Sequence, residues 1–172
     1  MIREVRIDDA KDILYIYSYY VKNTAISFEI SIPTINEFEN RIEKISKDYP
    51  YIVYEENNRI LGYAYAYKLG EREAYKISAS LSIYVDKDSK KKGIGKKLYN
   101  EIEKRLKDMG IKNLYSLVVF PPCKTKYLDT NSYDFHRHLG FTEVGHLNKC
   151  GMKFGEYFDI VYMEKILGVS TK

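Results

Sequence analysis

Residues 82–98 read SIYVDKDSKKKGIGKKL and give the most direct indication of the fold. The segment opens with a β-rich run, continues as a basic loop and ends in two spaced glycines that begin a helical pattern. The first amides of a helix lack intrahelical acceptors and lie at the positive end of its dipole, and glycines let an anion approach the backbone closely. The segment therefore predicts a phosphate-binding turn made of Lys91, Lys92, Gly93, Ile94, Gly95 and Lys96.

Other interpretations of this turn were compared with the phosphate site. A solvated lysine run ahead of an ordinary helix explains the charge but not the placement of the glycines. A Walker-type loop needs glycine at Lys90 and serine or threonine at Lys97, and a dinucleotide fingerprint needs glycine at Leu98. Both nucleotide motifs are therefore excluded.

The sequence on either side alternates between strand-like and helix-like patterns. Asn57 and Asn58 separate two β-rich runs and tolerate the positive φ of a tight hairpin. In the second run Gly62 begins a row of small residues opposite a row of tyrosines, so one face can accept an element packed closely. Strands are predicted at residues 2–7, 51–55, 60–69, 79–85, 114–120, 141–147 and 157–165.

Apolar periodicity predicts helices between these strands. Asp8 or Asp9 is the expected cap of the first helix, and Thr34 with Glu37 forms a capping box ahead of the second. A third helix is predicted at 94–109 with Gly110 as its C-terminal stop, and a short fourth one at 132–139. The 172 residues thus predict one mixed α/β domain spanning the chain.

Composition excludes several classes of protein. The 28 basic and 24 acidic residues give a formal charge of +4, which is too balanced for a dedicated nucleic-acid binder. Cys123 and Cys150 form no CxxC pair, so we expect neither a zinc site nor a disulfide framework, and no metal. The first residues lack a signal pattern and no long apolar run follows, so we expect a cytoplasmic protein without a membrane partner.

This turn and several motifs outside it fit one known family. The sequence 90–95 approximates Gln/Arg-x-x-Gly-x-Gly/Ala, with lysine in the leading place. The chain therefore resembles the GNAT acetyltransferase superfamily, and over nearly its whole length the phosphinothricin N-acetyltransferase-like branch. The segments that carry the second resemblance are 24–29, 49–50, 62–66, 72–75, 82–85, 132–141 and the pattern Gly151-x-Lys153-x-Gly155-x-x-x-Asp159.

The resemblance implies a central, mostly antiparallel sheet that splays between the strand ending at Val85 and the strand ending near Phe120, flanked by helices. Acetyl-CoA is expected in the gap, with its pyrophosphate on the turn already described. Asn131 is the expected side-chain contact to the cofactor, with Asp129 as the alternative. The pantetheine is expected to pair with the backbone of Ile83, Tyr84 and Val85.

The resemblance also implies residues for the chemistry. The branch places a glutamate base where this chain has Ser80, and a serine hydroxyl can at most hold a water that relays the proton. His136 is assigned as the general acid, against the alternative of a half-buried packing histidine. The expected acceptor pocket contains Phe28, Arg72, Tyr75 and Lys153. Arg72 suits a substrate carboxylate, although an exposed turn residue is the plainer interpretation.

These expectations lead to one main function and two alternatives. The main prediction is an N-acetyltransferase acting on a small amino-acid-like amine, such as phosphinothricin or a methionine-derived sulfoximine. The absent glutamate motivates a sensor that binds acyl-CoA with little turnover. A nucleic-acid-binding module built on residues 87–97 is the third and least supported. A homodimer that uses residues 157–165 is also expected from the branch.

Overall fold

The computed structural model of the protein describes residues 1–90 and 92–168. Strands in this range are β1 Ile2–Glu4, β2 Tyr51–Glu56, β3 Arg59–Lys68, β4 Ser78–Val85, β5 Asn113–Phe120, β6 Thr142–Lys153 and β7 Glu156–Ile166. The α-helices are α1 Ala10–Asn23, α2 Ile35–Ser46, α3 Ile94–Asp108 and α4 Asn131–His138. The predicted α/β fold, a mostly antiparallel sheet flanked by helices, is confirmed.

The strands form one sheet in the order β1-β2-β3-β4-β5-β7-β6. Neighbouring strands run antiparallel except β4 and β5, which are parallel and connected through α3. The hairpin between β2 and β3 turns at Asn57 and Asn58, with φ of 52° and 57°, as predicted. The single parallel pair lies in the middle of the sheet, so any separation there divides the sheet into two halves.

Helix α3 packs on the small-residue face of β3. A Cβ placed on Gly62 would lie 3.2 Å from both Ile94 Cγ2 and Leu98 Cδ1, so the missing side chain is what lets the helix approach. Ala64 and Ala66 are buried in the same cluster. The prediction of a close-packed element on this face is therefore confirmed, and it fixes where α3 begins.

Helices α1 and α2 cover the tyrosine face of β2 and β3. Helix α2 starts with the predicted capping box, in which Glu37 N donates to Thr34 Oγ1 at 3.3 Å. Asp9 occupies the N-cap position of α1 as predicted, but its carboxylate makes no capping bond to that helix and accepts instead from Arg3 Nη1 and Arg6 N, each at 2.7 Å. Arg3 thereby holds the strand before α1 against the start of that helix.

β1 and β6 are the strands whose lengths differ most from the prediction. β1 ends at Glu4 and Ile7 opens a 3-10 turn, so the first strand is shorter than expected. β6 continues to Lys153 through a region the sequence left unassigned. Its register against β7 shifts between Glu143 and Gly145 and again between Leu147 and Gly151, which breaks the strand pattern along the sequence.

Candidate active site

β4 and β5 separate after three residue pairs, from Ser78–Asn113 to Ser80–Tyr115. Lys112 N donates to Ile77 O at 2.7 Å on the β5 side of β4. The N–H and C=O groups of successive residues in a strand point to alternate sides. Those of Leu81, Ile83 and Val85 point to the same side as the Ile77 carbonyl and therefore face the gap. The interior of the sheet thus exposes a stretch of backbone that has no partner strand, and an extended, amide-containing molecule can bind along it.

The basic turn lies at the mouth of this gap. Gly93 caps α3 with φ of 74°, and the first helical bond runs from Lys97 N to Gly93 O at 3.1 Å. The amides of Ile94, Gly95 and Lys96 come before that bond, so helix geometry leaves them free to bind an anion. A Cβ on Gly93 would meet open space, whereas one on Gly95 would lie 3.3 Å from Phe135 Cζ.

A cavity of about 560 Å³ joins the gap to the turn. Most of the predicted cofactor-binding residues line it, namely Ile83, Tyr84, Val85, Gly93, Ile94, Gly95, Lys96 and Asn131, together with His136. Lys92 is exposed and is not in the lining. Lys91 lies outside the residues that the structure describes. This volume and this mainly apolar lining with one basic end suit a long ligand that carries phosphate groups.

Neither Tyr20 nor Lys90 was assigned to this cavity from the sequence, and Tyr20 comes from α1, far away in the chain. Tyr20 donates its hydroxyl to the Val85 carbonyl, and burial raises the pKa of Tyr20 to about 12, so the hydroxyl stays a donor. Lys90 Nζ lies 5.2 Å from the centre of the Tyr20 ring. Asp129, the alternative to Asn131, also lines the cavity and accepts from the Asn131 amide N at 3.1 Å.

His136 is the one histidine among the described residues that is buried against the gap, at 6% exposure. Its Nδ1 lies 2.7 Å from the Ser132 carbonyl, which can only accept, so Nδ1 carries the proton and Nε2 presents a lone pair. Nε2 is buried and, among the described residues, has no hydrogen-bond partner. Burial lowers the pKa of His136 although the Ser132 bond opposes it, so the imidazole is neutral near neutral pH.

A second cavity of about 50 Å³ continues the gap between the splayed strands. His136, Tyr84 and Ile26 line this cavity as well as the large one, while Ser82 and Ser116 line only the smaller. His136 therefore lies where the two cavities meet. This position suits a group that transfers a proton between two ligands.

Ser80 lies in the paired part of β4, opposite Tyr115 on β5 and Tyr67 on β3. It is buried at 2% exposure and lines neither of these two cavities. Ser82, two residues along the same face, does line the smaller one. The predicted part of Ser80 in catalysis stays a prediction.

Comparison with known proteins identifies the family. The family description "Acetyltransferase (GNAT) domain" matches residues 2–162. The chain belongs to the GNAT acetyltransferase family. The gap, the glycine turn and His136 all lie within the matched acetyltransferase domain.

Similar proteins cover almost the whole of this acetyltransferase. Phosphinothricin N-acetyltransferase of Alcaligenes faecalis is 32% identical over 96% of this chain and 82% of that relative. The L-methionine sulfoximine/L-methionine sulfone acetyltransferase of Pseudomonas aeruginosa is 27% identical, covering 95% and 92% of the two chains. A crystal structure of a phosphinothricin acetyltransferase from Sinorhizobium meliloti in complex with acetyl-CoA has a TM-score of 0.88 at 30% identity, covering 100% of this chain and 91% of that one.

Two of the predicted acceptor residues lie together beside the gap of this acetyltransferase. Lys153 is 4% exposed, and its Nζ donates to the Ser27 carbonyl at 2.6 Å. Phe28 lies against Gly151, where a Cβ would come within 2.3 Å of Phe28 Cε2. Burial lowers the pKa of Lys153, although Glu29 opposes this effect. The α1–α2 loop and the tip of the β6–β7 hairpin therefore form one wall.

The other two predicted acceptor residues, Arg72 and Tyr75, lie on the connection between β3 and β4. Tyr75 is 44% exposed and lies against Gly70, where a Cβ would be 2.8 Å from Tyr75 Cδ2. Neither residue lines the two cavities of the gap. Phe28 and Lys153 are absent from both linings as well, so none of the four predicted acceptor residues lines either cavity.

A third loop, residues 121–130, closes the same wall. Ala25 N donates to Tyr127 O at 3.0 Å, and the rings of Tyr127 and Phe154 stack with centroids 4.3 Å apart. Leu128 is buried in a small cluster that contains Ala25, with Val119 and Phe158 as its other buried members. Because Val119 also lines the smaller cavity, this cluster forms part of the wall of that cavity.

Residues 1–90 and 92–168 contain no group of three or more His, Cys, Asp or Glu side chains arranged to hold a metal ion. No helix within those ranges combines the length and the apolar character needed to cross a membrane.

Proposed function

We propose that this acetyltransferase moves the acetyl group of acetyl-CoA to the amine of a small amino-acid-like acceptor. The observation that carries the proposal is His136, which lines both cavities of the gap and whose neutral imidazole has a buried Nε2 without a hydrogen-bond partner among the described residues. The names of the relatives favour phosphinothricin, methionine sulfoximine and methionine sulfone as acceptors to examine first. The large cavity is then the cofactor side and the smaller cavity the acceptor side.

The described residues fit acetyl-CoA by three separate features. The free amides at the start of α3, with Lys96 and Lys90, suit the pyrophosphate. The backbone of Ile83, which has no strand partner on the gap side, suits the amides of the pantetheine. When bound, acetyl-CoA supplies a thioester as the acetyl donor. We place Asn131 and Asp129 at the opposite wall of the same cavity.

His136 can serve both proton transfers of the reaction. An aliphatic ammonium has a pKa near ~10 and must lose a proton before its nitrogen attacks a carbonyl carbon. Nε2 of neutral His136 accepts that proton, and the resulting imidazolium returns a proton to the departing thiol sulfur. The predicted general acid is thus also proposed as the base. Ser80 is proposed to hold a water on this path, and a pH–rate profile left unchanged by Ser80→Ala would remove it.

Four side chains are proposed for acceptor recognition. Phe28 and Lys153 form a continuous wall beside the smaller cavity, and Lys153 offers a buried ammonium to an anionic group of the acceptor. Arg72 and Tyr75 stand on an exposed connection, so their part in recognition requires this connection to close over a bound acceptor. Kinetics with an Arg72→Met variant test that step, because an unchanged KM for every acceptor would exclude it.

Release of thiol from acetyl-CoA tests the function. Purified protein is incubated with acetyl-CoA and phosphinothricin, methionine sulfoximine, methionine sulfone and a panel of other L-amino acids and amines. We expect stoichiometric thiol release and acetylated amine with at least one acceptor. The sensor alternative is not favoured by acetyltransferase relatives that match nearly the whole chain. Tight binding of acetyl-CoA without thiol release over about pH 6 to 9 would support the sensor.

We also propose a cytoplasmic homodimer. Helices α1 and α2 pack on the half of the sheet that contains β2 and β3, while register places Leu117, Tyr162 and Leu147 on one face of the other half. Leu117 is 45% and Leu147 46% exposed, so a second copy would bury apolar surface there. The proposed dimer surface therefore differs from the one predicted at residues 157–165. Phe158, Val161 and Met163 in that range are buried inside the chain and cannot contact a second copy.

A further inference from the structure

Opposite charges are held on either side of Ser27 in the α1–α2 loop. Arg41 Nη1 donates to Glu29 Oε1 at 2.7 Å, and Lys153 Nζ donates to the Ser27 carbonyl at 2.6 Å. The loop between them is fixed, because Ser27 Oγ lies 2.7 Å from Tyr17 Oη and accepts from Glu29 N at 3.2 Å. The α1–α2 loop therefore presents the Glu29 carboxylate and also binds the Lys153 ammonium, which comes from the end of β6.

This segment borders the acceptor side of the gap. Ile26, the residue before Ser27, lines both cavities. The ring of Tyr17 packs edge-on against Tyr84, 5.2 Å between centroids, and Tyr84 also lines both cavities. The Glu29 side chain is 33% exposed, and a carboxylate can accept several hydrogen bonds beyond the one from Arg41. Glu29 itself lines neither cavity but lies three residues along the chain from Ile26, which lines both.

We propose that Glu29 binds the ammonium group of the acceptor before proton transfer and so selects zwitterionic acceptors together with Lys153. This inference rests on the proposed function. The carboxylate that the family resemblance predicts on β4 is replaced by Ser80, so a cationic amine needs a countercharge from another element. Glu29 supplies it from the α1–α2 loop, and His136 remains the group that takes the proton. Glu29 is a specificity residue here and not the base.

The Glu29–Arg41 pair could have a purely structural purpose, which is to tether the loop to α2. A partly exposed ion pair of this kind contributes only about 0 to 1 kcal/mol to stability. The two roles separate cleanly, since Arg41→Gln breaks the tether and keeps the carboxylate. Glu29→Gln breaks the tether and removes the negative charge with almost no change in shape.

Calorimetric titration of the protein saturated with CoA, which carries no acetyl group, tests the proposal without turnover. The probes are L-methionine sulfone, the amine 3-(methylsulfonyl)propylamine, which lacks its carboxylate, and the acid 4-(methylsulfonyl)butanoate, which lacks its ammonium. We expect Glu29→Gln to weaken binding of the amino acid and the amine by about tenfold or more and to leave the acid unchanged. Arg41→Gln is expected to leave binding of the amine as tight as in the wild type.

Three results would overturn the assignment of Glu29. One is equal weakening of the acid and the amine by Glu29→Gln, which indicates a general collapse of the loop. Another is an Arg41→Gln variant that loses amine binding to the same extent. The third is a wild-type protein that binds the acid alone or none of the three probes. Because binding is the readout, failure of acetyl transfer would appear separately, as absent thiol release with amine binding intact.

Discussion

At the residue scale, the proposed chemistry depends on which nitrogen of His136 carries its proton. The Ser132 carbonyl can only accept, so it fixes the proton on Nδ1 and leaves the lone pair on Nε2. Burial keeps the ring neutral by lowering its pKa. A neutral, oriented imidazole can accept a proton immediately, which a charged surface histidine cannot.

Replacement of His136 by glutamine removes this acceptor and keeps a side chain of similar size. We expect kcat/KM to fall by about 100-fold or more with little change in acetyl-CoA affinity. Because the pKa of His136 is lowered, the acidic limb of the wild-type profile should lie below about pH 6.5 and should vanish in the variant.

His138→Gln is the matched control for that experiment. His138 also lines the large cavity, and its Nδ1 lies 2.6 Å from the Asp134 carbonyl, but the side chain is exposed. The control should keep the acidic limb of the profile. A His136→Gln variant with wild-type kcat/KM across the pH range would mean that another group carries the proton.

The sequence predicted where His136 lies but not which nitrogen is protonated. Its place follows from the family pattern, whereas its tautomer depends on burial and on a carbonyl one helical turn away. Tyr20 and Lys90 were missed for a related reason. Tyr20 reaches the Val85 carbonyl across 65 residues of chain, and no local pattern records such a contact.

At the element scale, α3 supplies the anion site through its first turn. Gly93 and Gly110 both have left-handed backbone, with φ of 74° and 84°, and a Cβ on either would meet open space. Alanine at each position should therefore cost a similar ~1 to 2 kcal/mol of backbone strain. Only Gly93 lines the cavity, so only its Cβ would point at a bound pyrophosphate.

We expect Gly93→Ala to weaken acetyl-CoA binding by about tenfold or more, as measured by calorimetry. Gly110→Ala should lower the unfolding temperature about as much as Gly93→Ala does, and it should leave acetyl-CoA affinity unchanged. Equal acetyl-CoA affinity for a folded Gly93→Ala and the wild type would refute the phosphate-binding assignment of this turn.

Most of the other elements were predictable because their burial leaves a period in the sequence. The small-residue row of β3 predicted the packing of α3, and the capping box predicted the start of α2. β6 was underestimated because it is exposed along most of its length and adopts φ of 49° at Lys149. A strand without a buried face shows no alternation to detect.

The irregular part of β6 depends on a buried acid. Asp159 on β7 accepts from Lys149 N at 2.6 Å and lies 2.8 Å from His146 Nε2, and the bond to Asp159 raises the pKa of His146. Because the pKa of His146 is higher in the folded protein than in the unfolded chain, protonated His146 stabilises the fold. This stabilisation is complete below the unfolded-state pKa of about 6.5 and is lost as the pH rises through the folded-state pKa.

Unfolding temperatures of wild type and His146→Gln, measured across pH, test this linkage. We expect their difference to be largest near about pH 6 and to shrink above about pH 8. A difference that does not vary with pH would show that His146 contributes by packing against Phe120, whose ring centre lies 6.0 Å away.

At the scale of the whole molecule, the uncovered half of the sheet predicts self-association. A Leu117→Glu, Leu147→Glu double variant should sediment as a monomer where the wild type sediments as a dimer, because it places charge at the centre of the proposed contact. Val144→Glu is the control. Val144 is 53% exposed on the same strand as Leu147, but it lies in the register shift between Glu143 and Gly145 and has no partner residue on β7. A monomeric wild type at micromolar concentration would contradict the dimer.

The separation of β4 from β5 also bears on how the protein avoids aggregation. Unpaired strand edges invite strands from other chains, and β4 offers such an edge from Leu81 to Val85. This edge lies inside the sheet, and the space beside it narrows to a cavity of about 50 Å³, too small for an incoming strand. The gap therefore leaves backbone open to a slender ligand without placing an unpaired edge at the border of the sheet. At the outer edge, the displaced register of β6 discourages the same pairing.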